Sequence, residues 1–251
     1  GPITFTNVTF ENVGTAIRHG SGAGTDLTLD NVDFTRADDA CLKSPDNSVV
    51  TIRDSTFTLC NMDGDANLGS IVASDGGELH LDNVDIIDSG VNAIAMGGSS
   101  GSLTDLSVND VDVTCSTQCG RQTGAVIELG AASSMSTVEI NDLVVSAAYT
   151  DGLLNLNAID SYSLTDVDLQ DLSNQGITMF AGGSGASSVG PDGNDAIIED
   201  VTVAGALDDG LRIVRSSPGT LTNVDLGATG GGLEFDGLVS MAKTANYETV
   251  T

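Results

Sequence analysis

One arrangement of apolar and polar positions recurs nine times along the chain. It reads ITFTNVTF at 3–10, LTLDNVDF at 27–34, VTIRDSTF at 50–57, LHLDNVDI at 79–86 and LSVNDVDV at 106–113. It continues as VEINDLVV at 138–145, YSLTDVDL at 162–169, AIIEDVTV at 196–203 and GTLTNVDL at 219–226. The first, third, sixth and eighth places are apolar and the fifth is Asn or Asp. The fifth-place residues are Asn7, Asn31, Asp54, Asn83, Asp110, Asp142, Asp166, Asp200 and Asn223, a mean period of 27 residues. Ser55 and Gly219 are the only departures among 36 apolar slots, which a composition 40% hydrophobic does not produce by chance.

Alternation with period two predicts strand on each side of the fifth place. Across that place the apolar residues are three apart, as in Phe5 and Val8. A straight strand would send Val8 to the opposite face. The chain must therefore turn a corner there, and Asn and Asp best tolerate the left-handed backbone a corner needs. A further short strand follows in each unit, for example at 16–20, 69–74, 92–97, 125–130, 152–157, 176–181, 209–214 and 232–237.

Three strands and a corner per unit predict an all-β fold, a right-handed parallel β-helix solenoid of about nine coils. Coils stacked at the interstrand spacing make a rod about 40 Å long. One core column is expected to run through Ile17, Cys41, Ile71, Ile94, Ile127, Leu154, Ile177, Leu211 and Leu233. Aliphatic ladders also account for an aromatic content of 4%. Gly1-Pro2 reads as a protease-cleavage scar, residues 3–237 as one β-helix domain, and 238–251 as a tail or the start of another coil. No amphipathic capping helix precedes Ile3, so the reading expects an uncapped fragment with flanking domains of the same chain.

These units resemble those of the pectate-lyase-like right-handed β-helix proteins over nearly the whole chain, through an architectural motif. That resemblance implies polysaccharide lyases, glycoside hydrolases, esterases, tailspikes and adhesins alike, so it does not fix an activity.

Charge narrows the partners. Thirty-six acidic residues against 8 basic ones give −28, which opposes binding to nucleic-acid phosphates or anionic lipid. No apolar run is long enough to cross a membrane as a helix. An Asp-rich surface whose only lysines are Lys43 and Lys243 suits a saline or calcium-containing medium. Cys41, Cys60, Cys115 and Cys119 contain no CxxC and lie far from His19 and His80. Disulfides or buried thiols are favoured over zinc, with Cys115 and Cys119 spaced to close a small loop.

Four groups of residues suggest chemistry. Asp38, Asp39 and Lys43 lie in a segment similar to the Asp-Asp-Cys…Lys-Ser of polygalacturonase-type hydrolases, where paired carboxyls act as acid and base. Here one residue is missing before Lys43 and no Gly-His-Gly follows. Asp208-Asp209 repeats the pair in another unit, so a turn motif is favoured. Arg18, His19, Arg36 and Arg53 join Lys43 in the first three units as candidate ligands for a uronide. His19 and Lys43 are 24 residues apart, the Asn7–Asn31 spacing, and are expected to stack. Asp63-Gly-Asp65-Ala-Asn67 matches the first half of a calcium loop, with Leu68 where Gly normally follows. Finally, the outward residue two past each corner reads Thr9, Asp33, Thr56, Asp85, Asp112, Val144, Asp168, Thr202 and Asp225. Asp85 and Asp112 should be neighbours in the stack, forming a stripe that attracts calcium or sodium.

Together these features lead to an expectation of an extracellular, surface-displayed structural or adhesive module that contacts glycans and binds calcium. The alternative is a polysaccharide-degrading enzyme working through the first three coils.

Overall fold

The structure is a computed structural model. It describes residues 1–18, 24–44, 47–63, 69–73, 77–96, 105–115, 124–129, 134–147, 149–155, 158–174, 176–180, 196–206, 209–214, 220–227, 232–236 and 246–250. Long strands β1 (Ile3–Val13), β3 (Leu27–Ala37), β5 (Val49–Thr58), β7 (Glu78–Ile87), β9 (Asp105–Thr114), β11 (Ser134–Ser146), β13 (Ala158–Gln170), β15 (Ala196–Ala204), β17 (Thr220–Asp225) and β19 (Asn246–Val250) form one sheet in that order. Short strands β2 (Ile17–Arg18), β4 (Leu42–Lys43), β6 (Gly69–Ala73), β8 (Asn92–Met96), β10 (Ala125–Leu129), β12 (Asp151–Asn155), β14 (Ile177–Phe180), β16 (Asp209–Val214) and β18 (Gly232–Asp236) form the other.

All the pairings between neighbours are parallel, and the chain alternates between the sheets. The result is an all-β parallel solenoid with no helix among the described residues. Among the described residues the strand ladders have ten and nine rungs. Closed turns among the described residues number about five, against the nine coils expected, since many connections lie outside those residues. The segment expected to be a tail or a new coil adds a rung: β19 pairs with β17, with Leu221 opposite Tyr247 and Val224 opposite Val250.

Every predicted corner has left-handed backbone. The φ angles of Asn7, Asn31, Asp54, Asn83, Asp110, Asp142, Asp166, Asp200 and Asn223 lie between 48° and 55°. The corner does not end the strand, however. Thr6 pairs with Asp30 and Val8 with Val32 on either side of Asn7 and Asn31, so two predicted strands merge into one bent strand. One left-handed residue restores the inward phase without breaking the ladder. Amides tie some corners together. Asn83 donates from Nδ2 to Asp54 Oδ1 at 2.6 Å, and Asn223 does the same to Asp200 at 2.9 Å. Asn31 donates likewise to Asn7.

A second left-handed position follows five residues later, at Asn12, Arg36, Leu59, Asp88, Asp171 and Gly205. Here the chain leaves the long sheet for the short one. Its residue types are too varied to be seen as a repeat.

The inward rows are dry. Leu29, Val32, Ile52, Leu79, Ile86, Val113, Leu143, Leu164, Ile198 and Leu221 are all fully buried. Ser55, the exception in the pattern, is buried too, but its hydroxyl accepts the Val32 N–H at 3.1 Å and donates to the Arg53 carbonyl at 2.6 Å. Burying a hydroxyl costs little when both its roles are met. Phe10, Phe34 and Phe57 stack on successive rungs with centroids 5.2 and 4.5 Å apart.

The short-sheet column runs through Ile17, Leu42, Ile71, Ile94, Ile127, Leu153, Ile177, Leu211 and Leu233. Two expected members are corrected by one residue: Leu42 replaces Cys41, and Leu153 replaces Leu154. The second turn has one more residue between corner and column than the first, which carries Cys41 out of register. Cys41 is instead bonded to Cys60, with Cα atoms 5.5 Å apart and both residues buried. Cys115 is also disulfide-bonded, and no described cysteine is free.

Candidate functional site

The outward side of the long sheet is a lattice of small polar side chains. Two past the corner, the in-register row is Thr9, Asp33, Thr56, Asp85, Asp112, Val144, Asp168, Thr202 and Asp225, as expected. Asp85 and Asp112 are direct neighbours. The corner row beside them is acidic through Asp110, Asp142, Asp166 and Asp200. Burial, with the Asp85, Asp110 and Asp142 carboxylates, holds the Asp112 carboxyl above its ordinary range. Charge also balances locally, because Arg53 stands between Asp30 and Asp82 one place before the corner. Asn109 bridges the next rungs there, donating to Asp82 at 2.7 Å and accepting from Asn141 at 2.8 Å.

This face concentrates negative charge without building a compact chelate. Among the described residues, no group of three or more His, Cys, Asp or Glu side chains is placed to hold a metal ion. Asp63 is exposed, and its N–H donates to the Asp38 carbonyl at 2.9 Å. Asp65 and Asn67, the rest of the candidate calcium loop, lie outside the described residues.

The Asp38-Asp39 pair sits in a turn that is knitted into the ladder. Asp38 N–H donates to Val13 O at 3.2 Å and Asp39 N–H to Gly14 O at 2.9 Å. In the next turn Asn61 N–H reaches the Asp39 carbonyl at 2.8 Å. The Asp39 carboxylate accepts from Thr15 Oγ1 at 3.1 Å and faces Lys43 Nζ at 3.7 Å. Asp39 and Lys43 therefore meet, with the carboxylate already engaged by the turn.

The candidate substrate-binding cations are distributed over three surfaces. Arg18 is opposite Lys43 on the short sheet. Arg53 lies on the long sheet, and Arg36 occupies a left-handed corner with φ 64°. His19 lies outside the described residues, and the residue in register with Lys43 is Arg18. The same extra residue that displaced Cys41 accounts for this.

One polar feature was not anticipated. Glu128, on β10, is half-buried, and its Oε2 accepts from Asn92 Nδ2 at 3.0 Å. Asn92 is itself held, its Oδ1 accepting the Ala125 N–H at 2.9 Å. Burial raises the Glu128 pKa, the Asn92 hydrogen bond lowers it, and nearby Asp151 raises it. Asp151 in turn accepts from Asn174 Nδ2 at 2.8 Å. The only sequence signal is that Glu is scarce, at seven residues, and this one interrupts an aliphatic strand.

No protein-family model matches the chain, and neither a curated protein nor a solved structure matches it. The resemblance drawn from the repeat thus holds at the level of the parallel solenoid.

Proposed function

We propose that this chain is a rigid, surface-displayed β-solenoid module whose acidic outer face contacts glycans in the presence of cations. One observation carries the reading: the outward rows of Asp, Asn and Thr continue in register over the long sheet. Such a face offers many acceptors and amide donors at a constant spacing, which suits an extended hydroxyl-rich polymer. Ten stacked strands span about 43 Å at the usual interstrand spacing. Each sugar contact is weak, and affinity comes from repetition. The Cys41–Cys60 bond fits an oxidising, extracellular setting. Calcium or sodium is proposed to populate the Asp85–Asp112 region as a counter-ion.

The test is a glycan array probed with the whole chain at about 1 mM calcium, the range in which extracellular calcium modules bind, and again in EDTA. Binding lost on substituting Asp85 and Asp112 together by Asn supports the reading. Binding that persists in that variant refutes this face as the contact.

A second reading, polysaccharide cleavage, is favoured by the Arg18–Lys43 pairing beside Asp39. Its test is ultraviolet absorbance of unsaturated product, together with a reducing-sugar assay. Turnover abolished by Lys43→Ala or Asp39→Ala would replace the first reading with this one.

A further inference from the structure

Inside the turn that follows β7 the buried side chains become polar. Asp88, Ser89 and Asn92, with Ser70 from the preceding turn, are at most 5% exposed. Ser89 follows the left-handed Asp88 as Cys60 follows the left-handed Leu59. Ser70 precedes Ile71 as Cys41 precedes Leu42, the in-register partner of Ile71. The Cys41–Cys60 bond is thus succeeded one turn on by Ser70 and Ser89, whose hydroxyls bond each other, and both pairs are 19 residues apart. Ser89 donates to the Asn92 carbonyl at 3.0 Å, so Ser70 is the donor between the two hydroxyls. The Asp88 N–H donates to Thr114 O at 3.0 Å.

Tyr149 reaches this cluster from the turn between β11 and β12, two rungs on. It is fully buried, and its hydroxyl has no hydrogen-bond partner. The main chain around it is anchored: Tyr149 N–H donates to Ala147 O at 2.8 Å, and Tyr149 O accepts from Ser173 N–H at 2.8 Å. Burial raises the pKa of the phenol, neighbouring Ser89 lowers it and the Asp88 carboxylate raises it. The group is therefore a protonated donor that lies beside Ser89 and Asp88 and bonds directly to neither. A hydroxyl that leaves water without gaining a partner is destabilising. When such a group stands near polar neighbours beyond direct bonding, a bridging molecule between them removes that cost.

We propose that an ordered water molecule binds between the Tyr149 hydroxyl, the Asp88 carboxylate and Ser89, tying the turn after β7 to the turn before β12. The water accepts from Tyr149 and donates to Asp88 and Ser89, which gives it the usual complement of about three partners. A carboxylate has about four acceptor sites and a hydroxyl two, so both can take a water hydrogen beside their other bonds. The donor set suits water rather than a metal ion. Calcium takes at least about six oxygens, and among the described residues no group of three or more His, Cys, Asp or Glu side chains is placed to hold a metal. The bridge passes the turn after β9, where the chain is longer: Asp110 and Asp142 are 32 residues apart against a mean of 27. A side chain and a water that reach past this turn couple the turns on either side of it. The site is interior and independent of what the outer face binds.

The test compares the whole chain with Tyr149→Phe, which keeps the ring and removes the hydroxyl. A water held there loses a partner in the variant, so the folding equilibrium constant from urea unfolding should fall by about fivefold or more. A hydroxyl that is simply unsatisfied predicts the opposite sign, and a constant equal to or above the parent's overturns the proposal. Oxygen-17 magnetic relaxation dispersion of the solvent counts long-lived internal waters, and the variant should hold one fewer. An unchanged count overturns the proposal. So does a crystal structure of the parent in which Tyr149 bonds Ser89 or Asp88 directly. The difference in Tm between parent and variant should be the same in sodium, potassium and choline chloride, a comparison that cancels counter-ions on the outer face. A difference that depends on the ion overturns water as the occupant and assigns the position to that cation.

Discussion

Replacing Asp112 by Asn should stabilise this protein, and the gain should shrink in salt, since the repulsion from Asp85, Asp110 and Asp142 is screened while the effect of burial is not. Asp85 and Asp112 face outward on adjacent rungs. At the interstrand spacing of ~4.8 Å, two unit charges in water repel by about 0.9 kcal/mol before screening. The water dielectric applies because Asp112 is an exposed surface group, and the screening length falls from ~10 Å at 0.1 M salt to ~3 Å at 1 M. The Asp85 term alone is then about 0.5 kcal/mol at 0.1 M and below ~0.2 at 1 M, with Asp110 and Asp142 adding smaller amounts. An Asn at 112 removes these terms and places an amide beside Asp85, the arrangement Asn83 already makes with Asp54 at 2.6 Å.

The expected gain is on the order of 1 kcal/mol at low salt, or roughly 2–4 °C in Tm for a chain of this size. Thermal and urea melts of both proteins at low salt and at 1 M sodium chloride measure it. The pH dependence supplies a second check. The folded pKa of Asp112 is raised, so between the unfolded and folded values the native state binds more protons. Its contribution to stability therefore grows as pH falls through the folded pKa toward 3.8, and is lost as pH rises above it. In Asp112→Asn this part of the dependence disappears. A variant no more stable than the parent at low salt, or a difference unchanged at 1 M salt, refutes the reasoning.

Three further outcomes follow from the packing. Leu59→Asn should raise stability by about 0.5–1 kcal/mol in urea denaturation, because Leu59 holds φ 55° where other turns use Asn12, Asp88 or Asp171. Its backbone bonds to Ile87 O and from Ala37 N–H survive the change. Replacing Cys41 and Cys60 together by Ala should cost about 3 kcal/mol, the loop entropy for their separation of 19 residues, read as a lower urea midpoint. Phe34→Ala should cost about 3–5 kcal/mol, and Phe10→Ala clearly less, since Phe34 is 1% exposed and stacked on both faces while Phe10 is half-buried. Equal losses for the two would contradict the stacking order.

The corner was legible because few residues accept positive φ, so Asn and Asp at a fixed place in nine units leave one backbone solution. The inward rows were legible because alternation has a fixed period. The column through the short sheet was legible except at Cys41 and Leu154. Its register depends on how many residues each turn spends between the sheets, and apolar pattern does not count those. The second corner was invisible, since Arg36 and Leu59 occupy a conformation their side chains do not advertise. The Cys41–Cys60 pairing was likewise hidden, because the two lie at different distances from their corners, 10 residues after Asn31 and six after Asp54. Glu128 gave little warning because its environment comes from Asn92 and Asp151, 36 and 23 residues away.

The corner also explains part of the charge. Asp outnumbers Glu by 29 to seven. A left-handed corner selects the short side chain of Asn or Asp over the longer Glu. Asn would serve as well, and does so at Asn7, Asn31, Asn83 and Asn223. The row two places further on is different. Asp33, Asp85, Asp112, Asp168 and Asp225 lie in strand, and none is among the residues of positive φ. Strands disfavour Asp, and Thr9, Thr56 and Thr202 show that an uncharged, better strand former fits the same slot. The backbone does not require this charge, and at Asp112 it works against stability. That row is where the fold bears a cost it could avoid, and so where a function on the outer face has to be sought.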